Sequence, residues 1–378
     1  MKFLKIAMFG HKRFPSREGG IEVVVTELAQ RMVRLGHRVI CYNRAGQAMD
    51  GNIQKILPTD TYQGVQVKTV PTLDRKGLAA VTASFFSAIE AAFSDADIIH
   101  IHAEGPACMC WLPKIMGKKI IVTIHGLDWK RAKWQNGFGS VYIKMGERMA
   151  VRFADRIIVL SHNMQDYFLR EYHRETILIP NGRSEHESVH ADKICQEYNL
   201  KSQEYLLFLG RLVPEKGIHY LIEAYQNMTT DMPLVIAGAS SDSDDYVSQL
   251  KQMAGNNKKI LFTGYVQGRI LEELYSNAYL YVLPSDLEGM PLTLLEAMSY
   301  GNCCVVSDIP ECTEIVDSNA VVFPAGNVAA LQNTLQTLCD QPHLVEQYRH
   351  AIKEHVLGKY NWDEITHKTL ELYQELYS

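Results

Sequence analysis

No run of 18 or more apolar residues interrupts this 378-residue sequence, so no membrane-spanning helix is expected. None of the eight cysteines (Cys41, Cys108, Cys110, Cys195, Cys303, Cys304, Cys312 and Cys339) forms a Cys-x-x-Cys pair, and Cys303 and Cys304 lie inside the apolar run NCCVVS. That usage argues for reduced thiols and against both a zinc site and a disulfide framework. A basic run and an aromatic RNP-type motif are also missing, so nucleic acid is not the expected partner. The first candidate strand lacks the GxGxxG turn of a dinucleotide-binding fold. Low-complexity segments and short repeats are absent. A cleavable leader is not expected: MKFLKIAMFG is short and alternates like a strand, and HKRF stands where a small-residue cleavage site would be. We read a mature cytosolic start.

Apolar residues make up 47% and charged residues 21%, the balance of a globular chain and not of a disordered one. The net charge of −5 hides a split. Residues 1–180 hold 25 Lys and Arg against 16 Asp and Glu, while residues 181–378 hold 13 against 27. A basic first half suits an anionic partner, such as a phospholipid surface or a polyprenyl-phosphate-linked substrate. Chance surface composition is the competing explanation.

Short β-branched runs alternate with helical patterns throughout. In the first half the strand candidates are residues 5–10, 38–43, 65–70, 97–102, 119–125, 156–161 and 176–181; in the second they are 205–210, 233–238, 259–264, 279–285, 302–307 and 320–323. Ile21–Leu35 reads as a helix stopped by Gly36. Near-continuous apolar strands separated by helices indicate a parallel sheet covered on both faces. Two such series predict an α/β chain of two Rossmann-like domains, 1–181 and 182–360, joined near Pro180-Asn181-Gly182, with an amphipathic last helix from about Asp363 to Leu376. Ligands of open α/β sheets bind at the carboxyl ends of the strands, and tandem domains of this kind face each other across a cleft.

Several stretches fall at those ends. In FGHKRFPSREGGIE, Gly19-Gly20 opens a helix, where backbone N–H groups can approach an anionic ligand; an ordinary glycine-rich turn is the plainer reading. His125 in IHGLDWKRAKW closes a strand, where a histidine serves either a ligand or a backbone partner. Trp129, Lys130, Arg131, Lys133 and Trp134 form a basic-aromatic patch suited to an acceptor or a membrane surface; a solvated loop is the alternative. In FLGRLVPEKGIHY, Arg211 ends a strand and Lys216 starts a helix. Two fixed cations beside a helix N-terminus suit a diphosphate and can do the work a divalent metal does elsewhere. In SDLEGMPLTLLEAMSYG, Glu288 stands in the loop and Glu296 inside an expected helix Pro291–Tyr300, placed to accept hydrogen bonds from a sugar and a ribose. The amides at Met290 and Leu292 would face phosphate. The acidic strings at Asp95–Asp97 and Asp242–Asp245 read as a strand approach and a helix N-terminus, not as metal ligands.

These motifs resemble those of retaining glycosyltransferases of the GT-B fold, family 4, over nearly the whole chain and most specifically from Leu206 to Val316. The resemblance implies that the second domain binds a nucleotide-sugar donor and the first an acceptor, with segment 361–378 packing back onto the first. It assigns Arg211 and Lys216 to the donor diphosphate, Glu288 to the donor sugar, Glu296 to the ribose and Gly264-Tyr265-Val266 to the base. In the first domain it brings Gly20 to the phosphates and His125 to the donor sugar. Where many members have Glu-Gly-Phe-Gly this chain has Glu288-Gly289-Met290-Pro291, and Asn302 stands where a proline is usual. The turn GHKRFPSREGGIE is similar to that of cell-surface polysaccharide rhamnosyltransferases.

The resemblance implies same-face substitution, the leaving phosphate taking the acceptor proton, with no cofactor and no metal. The expected acceptor is a glycan or a polyprenyl- or lipid-linked group, and the expected location cytoplasmic, peripheral at the inner face of the cell membrane. A nucleotide-sugar epimerase on the same fold is the alternative. A Rossmann oxidoreductase and a two-domain binding protein are further rivals, disfavoured by the missing GxGxxG and by the Arg211/Lys216 pair.

Overall fold

Strands that are apolar along their whole length need cover on both faces. A computed structural model, which describes residues 3–46, 60–73, 75, 77–131, 138–184, 186–240 and 243–377, supplies that cover twice. The chain divides into two compact units, Met1–Gly182 with Trp362–Ser378, and Arg183–Asn361.

The first unit runs β1 (Lys5–Phe9), α1 (Gly20–Arg34), β2 (Arg38–Arg44), β3 (Asp60–Tyr62), β4 (Val65–Val70), α2 (Leu78–Phe93), β5 (Ile98–His102), α3 (Glu104–Ala107), α4 (Trp111–Ile115), β6 (Lys119–Thr123), α5 (Phe138–Phe153), β7 (Arg156–Val159), α6 (His162–Tyr172) and β8 (Ile177–Leu178). Its sheet has the order β3-β4-β2-β1-β5-β6-β7-β8, parallel except where β3 meets β4. β5 is buried at every position.

The second unit runs α7 (Lys193–Tyr198), β9 (Leu206–Leu209), α8 (Ile218–Gln226), β10 (Leu234–Ala237), α9 (Asp244–Ala254), β11 (Ile260–Gly264), α10 (Gly268–Asn277), β12 (Leu280–Leu283), α11 (Leu292–Ser299), β13 (Cys303–Ser307), α12 (Pro310–Val316), β14 (Val321–Phe323), α13 (Val328–Asp340) and α14 (Pro342–Leu357). Its six strands pair in the order β11-β10-β9-β12-β13-β14, all parallel. α15 (Trp362–Glu375) belongs to the first unit. There Tyr373 meets His100 of β5, and Asp363 accepts from Arg31 of α1.

Each of the thirteen expected runs contains a strand, and β3 was not among them. It is three exposed residues joined to β4 by the turn Gln63-Gly64, so no apolar pattern announces it. Most elements differ from the expected bounds by one or two residues, and three of the differences bear on the candidate site or the join. β6 stops at Thr123, leaving His125 two positions beyond it, because the chain turns at Gly126 toward Asp128. The run 176–181 keeps only Ile177 and Leu178 in β8. The helix expected over Pro291–Tyr300 is Leu292–Ser299: Pro291, at ψ 106°, is extended and caps the helix from outside, its carbonyl accepting the amides of Leu294 and Leu295. The eight cysteines are unpaired. Among the described residues no helix is long and apolar enough to cross a membrane.

Candidate functional site

In a doubly wound sheet the crevice opens where successive connections leave a strand in opposite directions. In the second unit that strand is β9, with β10 on one side and β12 on the other. The loops that follow β9 and β12 therefore lie side by side, and they carry the expected cations and the first glutamate. Arg211 stands two residues after β9 and is half-buried. Lys216 ends a 3₁₀ turn, Pro214–Lys216, and is buried. Its Nζ donates to Glu288 Oε1 at 2.6 Å, and both side chains are about nine-tenths covered. Ser285 Oγ donates to the same oxygen at 2.6 Å, and Ser307 Oγ donates to the Ser285 carbonyl. The two loops are also stitched by the amide of Asp286, which donates to the Glu215 carbonyl at 2.9 Å. Gly217 makes this closeness possible: its φ is +64°, and a Cβ there would stand 1.9 Å from the Pro284 carbonyl oxygen.

Further along the same sheet edge, α11 starts after Pro291, so the amides of Leu292 and Thr293 have no acceptor one turn back. Glu296 is half-buried and its Oε2 accepts from Tyr275 Oη at 3.2 Å. The Tyr275 ring stacks on Tyr300, and His186 stacks on Tyr300 in turn. Gly264 ends β11 with φ +74° and open space where a Cβ would go; Tyr265 and Val266 follow, half-buried. Met290 is buried. Sequence reading brought Arg211, Lys216 and Glu288 to one edge, and the structure adds Ser285 and Tyr275. No local pattern marks these two, because each acts on its glutamate through a hydroxyl whose direction depends on the packing of β12 or α10.

The first unit has its own switch strand, β1, between β2 and β5. Gly10, at φ +112°, lets the turn after β1 pass against β5, where a Cβ would lie 2.0 Å from the His102 carbonyl oxygen. Gly19 caps α1 in an extended conformation, and a Cβ there would meet Glu22 Oε2 at 2.2 Å. Glu22 thus folds back over the helix start, where its Oε1 accepts the Lys12 amide at 2.8 Å. The acid at this N-terminus is the chain's own, a difference from the open Gly19-Gly20 turn that the sequence suggested.

Three histidines converge on this edge: His11 after β1, His102 at the end of β5 and His125 after β6. Asn43 Oδ1 accepts from the Phe14 amide, so His11 Nε2 is the donor to that oxygen at 3.1 Å. His102 Nδ1 and His125 Nε2 are 3.1 Å apart. Burial lowers His11 and His125 to about 4 and holds His102 well below its usual value, so all three are neutral at pH 7. For His125 the carboxylates of Asp128 and Glu22 oppose that shift without reversing it. The site therefore presents hydrogen-bonding groups rather than fixed positive charge. His11 and His102 escaped notice in the sequence because a histidine within or just after an apolar strand reads as filler.

The basic-aromatic patch divides. Trp129 packs on the core of the first unit, and its ring carries Lys144 of α5 at 4.1 Å and Lys130 at 5.5 Å. Arg131 Nε pairs with Asp128 Oδ1 at 3.0 Å. Lys133 and Trp134 lie outside the described residues. On α5, Val141, Lys144, Met145, Arg148 and Arg152 are exposed at helical spacing, a stripe the sequence reading did not single out. Of the acidic strings, Asp95 pairs with Lys5, Asp97 accepts the Lys5 amide, and Asp244 and Asp245 occupy the first turn of α9; Asp242 lies outside the described residues. Among the described residues no three His, Cys, Asp or Glu side chains gather as metal ligands.

Two family models match the chain in tandem, one described as Glycosyltransferase Family 4 over residues 18–185 and one as Glycosyl transferases group 1 over residues 191–355. An uncharacterised glycosyltransferase of Methanocaldococcus jannaschii is 34% identical over 177 residues, 46% of this chain and 45% of that protein. The O-antigen chain mannosyltransferase B of Escherichia coli is 32% identical over 191 residues, 48% of this chain and 49% of its own. The match thus spans about half the length of each of these two curated relatives. The crystal structure of Anabaena HepE in complex with UDP-glucose shares the fold, with a TM-score of 0.81 over 98% of this chain and 100% of the other at 18% identity.

Proposed function

This chain belongs to the family 4, group 1 glycosyltransferases and has their two-domain GT-B fold, and on that premise we propose that it is a retaining enzyme moving a sugar from a nucleotide-sugar to a glycan or lipid-linked acceptor in cell-surface polysaccharide or glycolipid synthesis. The observation that carries the reading is the pairing of Lys216 with Glu288 across the loops of two adjacent strands, with Arg211 on the same edge. In this reading Arg211 and Lys216 hold the donor diphosphate and stabilise charge as it develops there, the electrostatic contribution that is usually largest. Glu288 takes sugar hydroxyls with the oxygen that Lys216 and Ser285 leave to it. Glu296, steadied by Tyr275, takes the ribose, and the Gly264-Tyr265-Val266 turn takes the base. The amides at Leu292 and Thr293 add donors for phosphate.

The leaving phosphate accepts the acceptor's hydroxyl proton on the same face of the sugar, so retention needs no protein nucleophile. No cofactor is assigned, and two fixed cations replace a divalent ion. In the first unit, which receives the acceptor, His125 is assigned to the donor sugar. Trp129, Lys130 and Arg131, extended by the α5 stripe, support a peripheral contact with anionic lipid. The likeness of the first turn to rhamnosyltransferases suggests a rhamnosyl donor. The UDP-glucose of the HepE complex and the mannosyl group in the Escherichia coli relative's name define the other donors to offer.

Free-nucleotide release from UDP-, dTDP- and GDP-sugars, measured with EDTA present, tests the reading. One donor class is expected to be turned over, and Arg211→Ala should reduce the rate by ~10²–10³-fold with the fold intact. Normal turnover by that variant overturns the assignment.

A further inference from the structure

The pairing of two neutral imidazoles after neighbouring strands constrains which nitrogen of each carries its proton. A neutral imidazole has one N–H and one bare lone pair. His102 is fully buried, and its Nε2 has no hydrogen-bond partner among the described residues. Its Nδ1 lies 3.1 Å from His125 Nε2, with the two ring centroids 5.3 Å apart. One of these two nitrogens donates and the other accepts. If His125 were the donor, the His102 proton would sit on Nε2 and leave a buried N–H with nothing to bond. If His102 donates from Nδ1, only a bare lone pair is left over. An orphaned buried donor is the rarer and costlier of the two. The chain then continues in one direction: His125 accepts at Nε2 and must carry its own proton on Nδ1, the nitrogen turned away from His102.

We propose that His102 is a positioning residue that fixes His125 as its Nδ1–H tautomer, so that the imidazole beyond β6 meets its ligand as a hydrogen-bond donor. The proposal rests on the reading of His125 as a sugar contact and says what that contact demands: an oxygen with a lone pair to offer, such as a sugar hydroxyl. A deoxy position would leave the donor unpaired. The surroundings preserve neutrality. His100 packs on His102 with centroids 4.2 Å apart and is itself spoken for, by Tyr373 at Nδ1 and Thr123 at Nε2. Burial holds His100 near 3, so it too is uncharged at pH 7. Around the pair the charged groups are Glu22 and Asp128, which favour protonation of His125, and Arg131, which opposes it; His11 bears on His102.

Two arms test the proposal on the full chain. In protein carrying ¹⁵N-labelled histidine, long-range ¹H–¹⁵N correlation should show His125, assigned by its loss in His125→Asn, with a protonated Nδ1 and a bare Nε2. The reverse pattern overturns the proposal. In turnover, His102→Phe removes the donor and should cost ~10–100-fold in kcat/KM for the sugar donor, as loss of an orienting partner does at other sites. His102→Asn keeps an N–H near the Nδ1 position and should restore most of the rate. Equal losses in both variants would mean packing alone and would also overturn it. If the tautomer is as proposed but His102→Phe turns over normally, His102 keeps its positioning role and the sugar-contact reading of His125 fails.

Discussion

A carboxyl sealed from water is held toward its protonated form, and Glu104, which lies near Glu147, is one. Both side chains are fully buried. Glu104 Oε2 accepts the Asp128 amide at 2.9 Å, and Tyr167 donates to Glu147 Oε1 at 2.7 Å. The remaining oxygens, Glu104 Oε1 and Glu147 Oε2, have no partner among the described residues unless one of them carries hydrogen. Burial, with the charges of Asp128 and Glu147, raises Glu104 well above the usual carboxylate range. A raised folded value means full stability below the unfolded value, then progressive loss as pH climbs toward the folded one, by about 1.4 kcal/mol per pH unit. Glu104→Gln keeps an acceptor for Asp128 and a donor for Glu147 but has no proton to lose. Its stability relative to wild type should therefore rise between pH 5 and 8 in urea titrations; parallel curves would count against a protonated Glu104. Nothing in the sequence announced this pair, because Glu104 and Glu147 are 43 positions apart and meet only when α3 lies against α5.

The elements themselves were legible where the physics is periodic. Strands such as β5, β12 and β13 are buried at every position and so have no polar positions to disguise them, while β4 is legible by alternation, with Gln66 exposed between Val65 and Val67. The exposed Asp60–Tyr62 lacks that signature, and its pairing is imposed by the turn before β4. Of the candidate site, residue types at strand ends could be read: Arg211, Lys216, Glu288 and Glu296. Their mutual bonds could not, since Lys216 and Glu288 are 72 positions apart and are joined by packing at Gly217. Two glycines separate the causes. Gly264→Ala carries a left-handed penalty of roughly 1–2 kcal/mol and meets open space. Gly217→Ala adds a collision with the Pro284 carbonyl, so it should lower the denaturation midpoint further and also weaken nucleotide-sugar binding by separating Lys216 from Glu288. Equal effects of the two variants on stability and binding would refute that distinction.

At the scale of the whole molecule, one helix decides which residues make a unit. α15 buries Trp362, Ile365, Leu370, Leu372 and Tyr373 in the first unit. At about 1.5–3 kcal/mol each, these side chains together match or exceed the net stability of an ordinary domain. A chain ending at Asn361 should therefore lose hydrogen-exchange protection in β1, β5 and β6 while β9 and β12 keep theirs. Protection retained in β5 would show that α15 is dispensable. His100 would be the first to report the change, since Tyr373 is one of its two partners.

The same arrangement orders events while the polypeptide is being made. Translation delivers residues 183–361 as one continuous stretch, but the unit that begins earlier lacks its last helix until Trp362–Glu375 has left the ribosome. The later-synthesised unit can finish first. The earlier one waits as a half-covered sheet, with the place of Trp362 and Tyr373 open to chaperones until Trp362–Glu375 arrives to close it.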